Sequence, residues 1–115
     1  MPTLTLNDLN QFCGTENWYR HLTGILYTDG VKFLAEEAGA FWLIDEIGHH
    51  QKEFGHVPFQ LWNLRLSQEH EAFLTMREDS DAPALVCKKI HYTTFPLKEI
   101  DLYFINNVLH LPTEY

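Results

Sequence analysis

Cysteine is almost absent from this chain of 115 residues: Cys13 and Cys87 are the only two, and neither has a second thiol at CxxC spacing. A zinc knuckle or a redox dithiol needs such a pair, so neither is indicated; both residues are expected to be reduced thiols packed in the core. Basic residues are also scarce, eight against sixteen acids, for a net charge of -8. That balance repels a nucleic-acid backbone or an anionic membrane surface, and neither is an expected partner. Serine occurs only at positions 67 and 80, outside any G-x-S-x-G, which leaves serine-hydrolase chemistry without support. Cys87 and His91 stand roughly 13 Å apart on an extended chain, too far for a thiolate and its base. The six glycines form neither a G-x-G-x-x-G nor a P-loop, so nucleotide binding has no sequence basis. The longest apolar run, Ala40 to Ile44, is far below a membrane span. The opening MPTLTLND carries no basic n-region or apolar h-region, and a cytoplasmic location is the expectation.

What is abundant is apolar and aromatic side chain. Hydrophobic residues make up 45% of the chain, with eight Phe, five Tyr and three Trp, enough to build one core in a single domain over 1–115. The stretch Tyr27 to Gln51 organises the rest. Val31, Leu34, Ala35 and Ala38 repeat at helical spacing, with Asp29 as N-cap or first-turn acid. Past Gly39 the apolar residues change phase: Ala40, Leu43, Ile44 and Ile47 lie opposite the first stripe, while Asp45, Glu46 and His49 line up with it. One straight helix would bury those carboxylates unpaired, at a cost of several kcal/mol. The spacing therefore predicts two helices re-aimed at Gly39, the second from about Ala40 to Lys52, with Phe41 and Trp42 at the corner.

Upstream, Thr5 and Asp8 have capping-box spacing and Leu4 with Leu9 that of a hydrophobic staple, predicting a short helix with Leu6, Leu9 and Phe12 or Cys13 inward and Gly14 as its left-handed stop. Thr15 to Thr28 reads as a loop with one short strand. From Phe59 the period becomes two: Trp62, Leu64 and Leu66, then Phe73 to Arg77 after the turn Ser67 to Glu71, form a hairpin. Leu85 to Thr94 is expected as a third strand, with Val86, Ile90 and Tyr92 on one face, and Ile100 to Ile105 with Val108 to Leu111 flank the tight turn Asn106-Asn107. The expected architecture is α+β, two or three N-terminal helices packed on one face of an antiparallel sheet of about five strands.

The segments GTENWYRH (Gly14 to His21), YTDGVKFLAEEAGAFWLID (Tyr27 to Asp45) and FPLKEIDLYFINNVLHLPTEY (Phe95 to Tyr115) resemble a family of small bacterial domains of unknown function. The match is most specific in Tyr27-Thr28-Asp29-Gly30 and in Leu111-Pro112-Thr113-Glu114-Tyr115. It implies a bacterial, intracellular domain and supplies no catalytic residues.

Two groups of residues are candidates for chemistry. Asp45, Glu46, His49, His50 and His56 include one Glu-x-x-His pair, the spacing that aims a carboxylate and an imidazole at one metal. A divalent ion such as zinc is the only cofactor the residues suggest. A bundle site needs a second such pair, and the chain has none on an expected helix, so a solvated face is the plainer reading. Trp18, Tyr19, Tyr27, Phe41 and Trp42, with Arg20, His21 and Asp29, make a candidate ligand or partner surface. The absence of catalytic motifs favours a non-enzymatic binding or regulatory module acting through protein contacts, self-association included. A small metal-dependent hydrolase using Asp45 to His56 is the alternative, and an acidic mimic of nucleic acid is the third.

Overall fold

The computed structural model of the protein describes residues 4–12, 14–68 and 70–114. Cys13, and Glu69 within the expected turn, lie outside them. Helix α1 (Leu6–Asn10) has the predicted capping box: Thr5 accepts from the Asp8 backbone N–H, and the Asp8 carboxylate accepts from that of Thr5. Leu4 and Leu9 are buried as a staple requires, whereas Leu6 is exposed. Gly14 is not left-handed; the helix ends earlier, at Gln11.

Two three-residue strands follow, β1 (Trp18–Arg20) and β2 (Leu26–Thr28), where a loop with one strand was expected. Three residues are too few to display a period of two, so the hairpin leaves no local signature. Helix α2 (Asp29–Ala38) starts at Thr28, whose hydroxyl caps the Val31 N–H, so Asp29 is a first-turn acid. Gly39 adopts φ 61°, and helix α3 (Phe41–Phe54) begins directly after it. The chain is bent there as the phase change predicts, because a residue with a Cβ resists the left-handed conformation. Leu43, Ile44 and Ile47 point into the core and Asp45 and His49 into solvent.

Strands β3 (Phe59–Gln68), β4 (Glu71–Arg77), β5 (Val86–Ile90), β6 (Glu99–Ile105) and β7 (Val108–His110) complete one seven-stranded sheet, in the order β1-β2-β7-β6-β3-β4-β5. The sheet is mixed, not purely antiparallel, because β2 runs parallel to β7. Asn106 and Asn107 take φ values of 52° and 67°, the positive pair that a two-residue hairpin turn demands. β5 stops at Ile90, short of the expected Thr94, and Tyr92 is 68% exposed beyond it. Cys87 is exposed, which corrects its expected place in the core: Val86 takes the inward position and its successor faces out.

Helices α2 and α3 lie over one face of the sheet, and Leu9 of α1 joins the same core. Trp62 and Leu64 of β3, Leu74 and Met76 of β4, Leu102 and Phe104 of β6 and Leu109 of β7 form a single buried layer with Val31, Leu34, Leu43, Ile44 and Ile47. Among the described residues no helix is long and apolar enough to cross a membrane.

Candidate functional site: the uncovered face of the sheet

The residues suggested for a metal take different partners. Asp45 accepts from His21 Nε2 at 2.6 Å. Glu46 pairs with Lys88 of β5 at 2.8 Å and lies 3.8 Å from His50, whose ring packs beside Trp62. His49 and His56 are exposed. Among the described residues no group of three His, Cys, Asp or Glu side chains is placed to hold a metal ion.

The contact between Asp45 and His21 extends to a third residue. The Thr23 N–H donates to His21 Nδ1 at 3.1 Å, so that nitrogen is the acceptor and Nε2 carries the proton shared with Asp45; the Thr23 hydroxyl is also 2.9 Å from Nδ1. A threonine, a histidine and an aspartate in a row have the connectivity of a nucleophile with its base. Here the Thr23 side chain is pressed on α3, where a Cβ added to Gly48 would fall 2.8 Å from the Thr23 Cβ. The contact therefore ties the β1–β2 turn to the helix.

The aromatic residues of the candidate surface divide between the two faces. Tyr19 and Tyr27 are cross-strand partners on the helix side, their rings stacked at 5.6 Å, with the Lys32 ammonium 4.5 Å from the Tyr19 ring centre. Trp42 lies on α3 beside β5, in a separate hollow with Lys88 and Tyr92, and Phe41 is exposed. Trp18 and Arg20 alternate with Tyr19 and so project from the face that no helix covers.

Asp29 is committed to structure. Its carboxylate accepts from the Glu16 N–H (3.1 Å), the Asn17 N–H (3.3 Å) and the Tyr19 hydroxyl (2.9 Å), with the Thr15 hydroxyl 3.1 Å away. The Glu16 N–H, aided by the Tyr19 and Thr15 hydroxyls, holds its pKa below the ordinary aspartate value; the hydrogen bond to Asp29 in turn raises that of Tyr19. Burial lowers the pKa of His110, at the end of β7. Both shifts have the same sign for stability. Where the unfolded chain binds more protons than the native one, stability rises with pH. For His110 the loss begins as pH falls below about 6.5, and for Asp29 below about 4. Urea unfolding should therefore give a midpoint that falls from pH 7.5 to 5.5 and again below pH 4. His110→Phe should flatten the first step, and Asp29→Asn the second.

The uncovered face carries the most distinctive surface. Leu26 of β2 opposes Val108 of β7, Val108 opposes Ile105 of β6, and Ile105 opposes Phe59 of β3: an unbroken apolar row across four strands. Beside it, Tyr103 opposes Leu61, the Phe59 and Tyr103 rings lie 5.3 Å apart, and Tyr103 meets His110 edge-on at 6.2 Å. None of these side chains belongs to the helix-side core. On the same face Trp18 of β1 is 56% exposed and Phe73 of β4, opposite Arg65, is 38% exposed.

Between β6 and β5 the face forms a groove of about 480 Å³ lined by Asn63, Arg65, Thr75, Arg77, Cys87 and Asp101 among others. The Asn63 amide donates to Glu99 at 2.8 Å and Asp101 at 2.7 Å, and Arg65 lies 3.5 Å from Glu99. The Arg77 guanidinium donates to the Ala82 carbonyl at 2.8 Å. No histidine lines the groove among the described residues, so the Cys87 thiol has no imidazole base there.

The signal for this face was present in the sequence. In β3 both parities are apolar, Phe59 and Leu61 against Trp62 and Leu64, and in β6 Tyr103 and Ile105 stand against Leu102 and Phe104. A strand solvated on one side alternates; one apolar on both parities is built to be covered on both.

Residues 3–115 match a family of unknown function (DUF6876), and the chain belongs to it. No curated protein and no solved structure matches the chain.

Proposed function

We propose that this member of the family is a non-enzymatic binding module that acts through protein contacts made on the uncovered face of its sheet. The observation that carries the reading is the apolar row from Leu26 through Val108 and Ile105 to Phe59 on the side away from the helices. Contiguous apolar surface of this kind, flanked by charged residues, marks contact sites on folded proteins. Arg65, Arg77, Glu99 and Asp101 supply the polar flank.

Affinity capture of the tagged chain from the cells that express it provides the test. A protein recovered in stoichiometric amount, whether a copy of this chain or another, is expected with the wild type and should be lost with Ile105→Lys. Ile105 is half-buried in the centre of the row, so a lysine there places a charge in the contact while its stem still covers the strand. Capture unchanged by the substitution, in a variant with a native circular-dichroism spectrum, would overturn the reading.

A further inference from the structure

We propose that the occupant of this face is a second copy of the chain, docked sheet against sheet about a two-fold axis; the inference rests on the binding-module reading and names its partner. Charge is the first ground. The strands of the uncovered face bear Arg20, Arg65, Arg77 and Lys89 against Glu71, Glu99 and Asp101, and Glu114 lies beside Trp18 and Val108 at one end, four bases and four acids in a chain whose totals are eight and sixteen. The remainder of the chain holds four bases against twelve acids, and a face of that composition would repel its own copy. The uncovered face meets itself almost neutral and turns the acidic remainder outward.

Symmetry is the second ground. A two-fold contact brings one patch against itself, so the patch must supply both members of every polar pair. Arg65 with Glu99, and Asn63 with Glu99 and Asp101, place donors and acceptors side by side on adjacent strands, so each finds its complement in the other copy after rotation. The apolar row runs along one end of the sheet, with Arg20 of β1 at its side and the charged cluster farther along β3 and β6, so apolar and polar contacts occupy neighbouring parts of the same face.

Area is the third ground. Three of the seven strands are three residues long and the others five to ten, so at about 3.3 Å per residue and about 4.8 Å between strands the face offers roughly 600 Å², the low end of the ~600–1,000 Å² per partner of a standard interface. Two sheets packed face to face with interdigitating side chains would then close the second side of β3 and β6, which their two-sided apolar pattern calls for.

Sedimentation equilibrium of the full chain decides the matter. The wild type is expected at twice the chain mass at tens of micromolar. Ile105→Lys, present twice in a symmetric contact, is expected to raise the dissociation constant by about 100-fold or more. Leu22→Lys, at a fully exposed position in the β1–β2 turn, should leave the dimer intact. Trp18→Lys, at a half-exposed end of the same face, serves if the central substitution fails to fold, and should weaken the dimer in proportion to its marginal position. A wild-type chain that stays monomeric at 100 μM overturns the proposal. If that monomer captures a different protein and Ile105→Lys abolishes the capture, the binding-module reading stands and only the second copy is excluded. If the substitution leaves capture unchanged, both are overturned.

Discussion

Replacing Gln60 by leucine should destabilise the protein by about 3 kcal/mol, although leucine is close in size and the site is fully buried. The Gln60 side chain is the centre of a closed polar network inside the core. Its oxygen accepts from Trp62 Nε1 at 2.9 Å and Gln51 Nε2 at 2.8 Å, while its nitrogen donates to Gln51 Oε1 at 2.9 Å and the Phe54 carbonyl at 3.0 Å, with the Val57 carbonyl at 3.3 Å. Among the described residues no buried side-chain polar atom lacks a partner. Leucine would orphan the indole N–H of Trp62 and leave the last turn of α3 without its tie to β3, and each buried donor so stranded costs about 1–3 kcal/mol. A fall in melting temperature of about 10–15 °C is expected. The cause can be isolated by a double-mutant cycle. Trp62→Phe removes the orphaned donor, so Gln60→Leu should cost less in the Trp62→Phe background than in the wild type. Equal costs in the two backgrounds would show that the network does not couple these residues.

Glu114→Ala should cost about 2–4 kcal/mol, a large effect for one half-buried residue near the end of the described chain. The carboxylate accepts from the Thr28 hydroxyl at 2.6 Å, the Gly30 N–H at 3.1 Å and the Leu111 N–H at 2.9 Å. It therefore joins the last turn of the chain to the first turn of α2, where a negative charge is also favoured by the helix dipole. Thr28 is 2% exposed, so its hydroxyl would be left without this acceptor in a site that water barely reaches. Gly30 is part of the same fit, since a Cβ there would lie 2.6 Å from Glu114 Oε1 and 2.7 Å from Leu111 Cδ1. Hydrogen exchange supplies the local readout: the Gly30 and Leu111 amides should lose protection in Glu114→Ala before the β3–β4 amides do. Protection unchanged at both amides, with the global midpoint within about 0.5 kcal/mol of wild type, would remove the staple from the account.

These hydrogen bonds explain what the two most specific stretches of the chain are for. Thr28-Asp29-Gly30 and Leu111-Pro112-Thr113-Glu114 form two halves of one closure, held by Glu114 on one side and by the contacts of Asp29 with residues 15–19 on the other. Asp29 is a candidate contact residue in the linear reading, and in the fold it and Glu114 both accept from backbone N–H and hydroxyl donors.

The sequence by itself determined whatever depends on neighbours a few residues apart. The capping box of α1, the break at Gly39, the re-phased stripe of α3, the β3–β4 hairpin and the Asn106-Asn107 turn all follow from side chains within about one or two helical turns or strand pairs of each other. Only the tertiary structure decided the rest. β1 and β2 are too short to show a period, and β2 finds its parallel partner β7 across some eighty residues of chain, a pairing no local pattern can encode. Cys87 faces out because the register of β5 against β4 sets its parity, and a shift of one residue would have reversed it. That Asp45, Glu46 and His49 turn away from the core follows from helical phase, but the partners of Asp45 and Glu46, His21 and Lys88, come from elements distant in the chain. The uncovered face lies between these cases: its apolar residues were legible on both parities of β3 and β6, and only the placement of α2 and α3 on the opposite side left them uncovered.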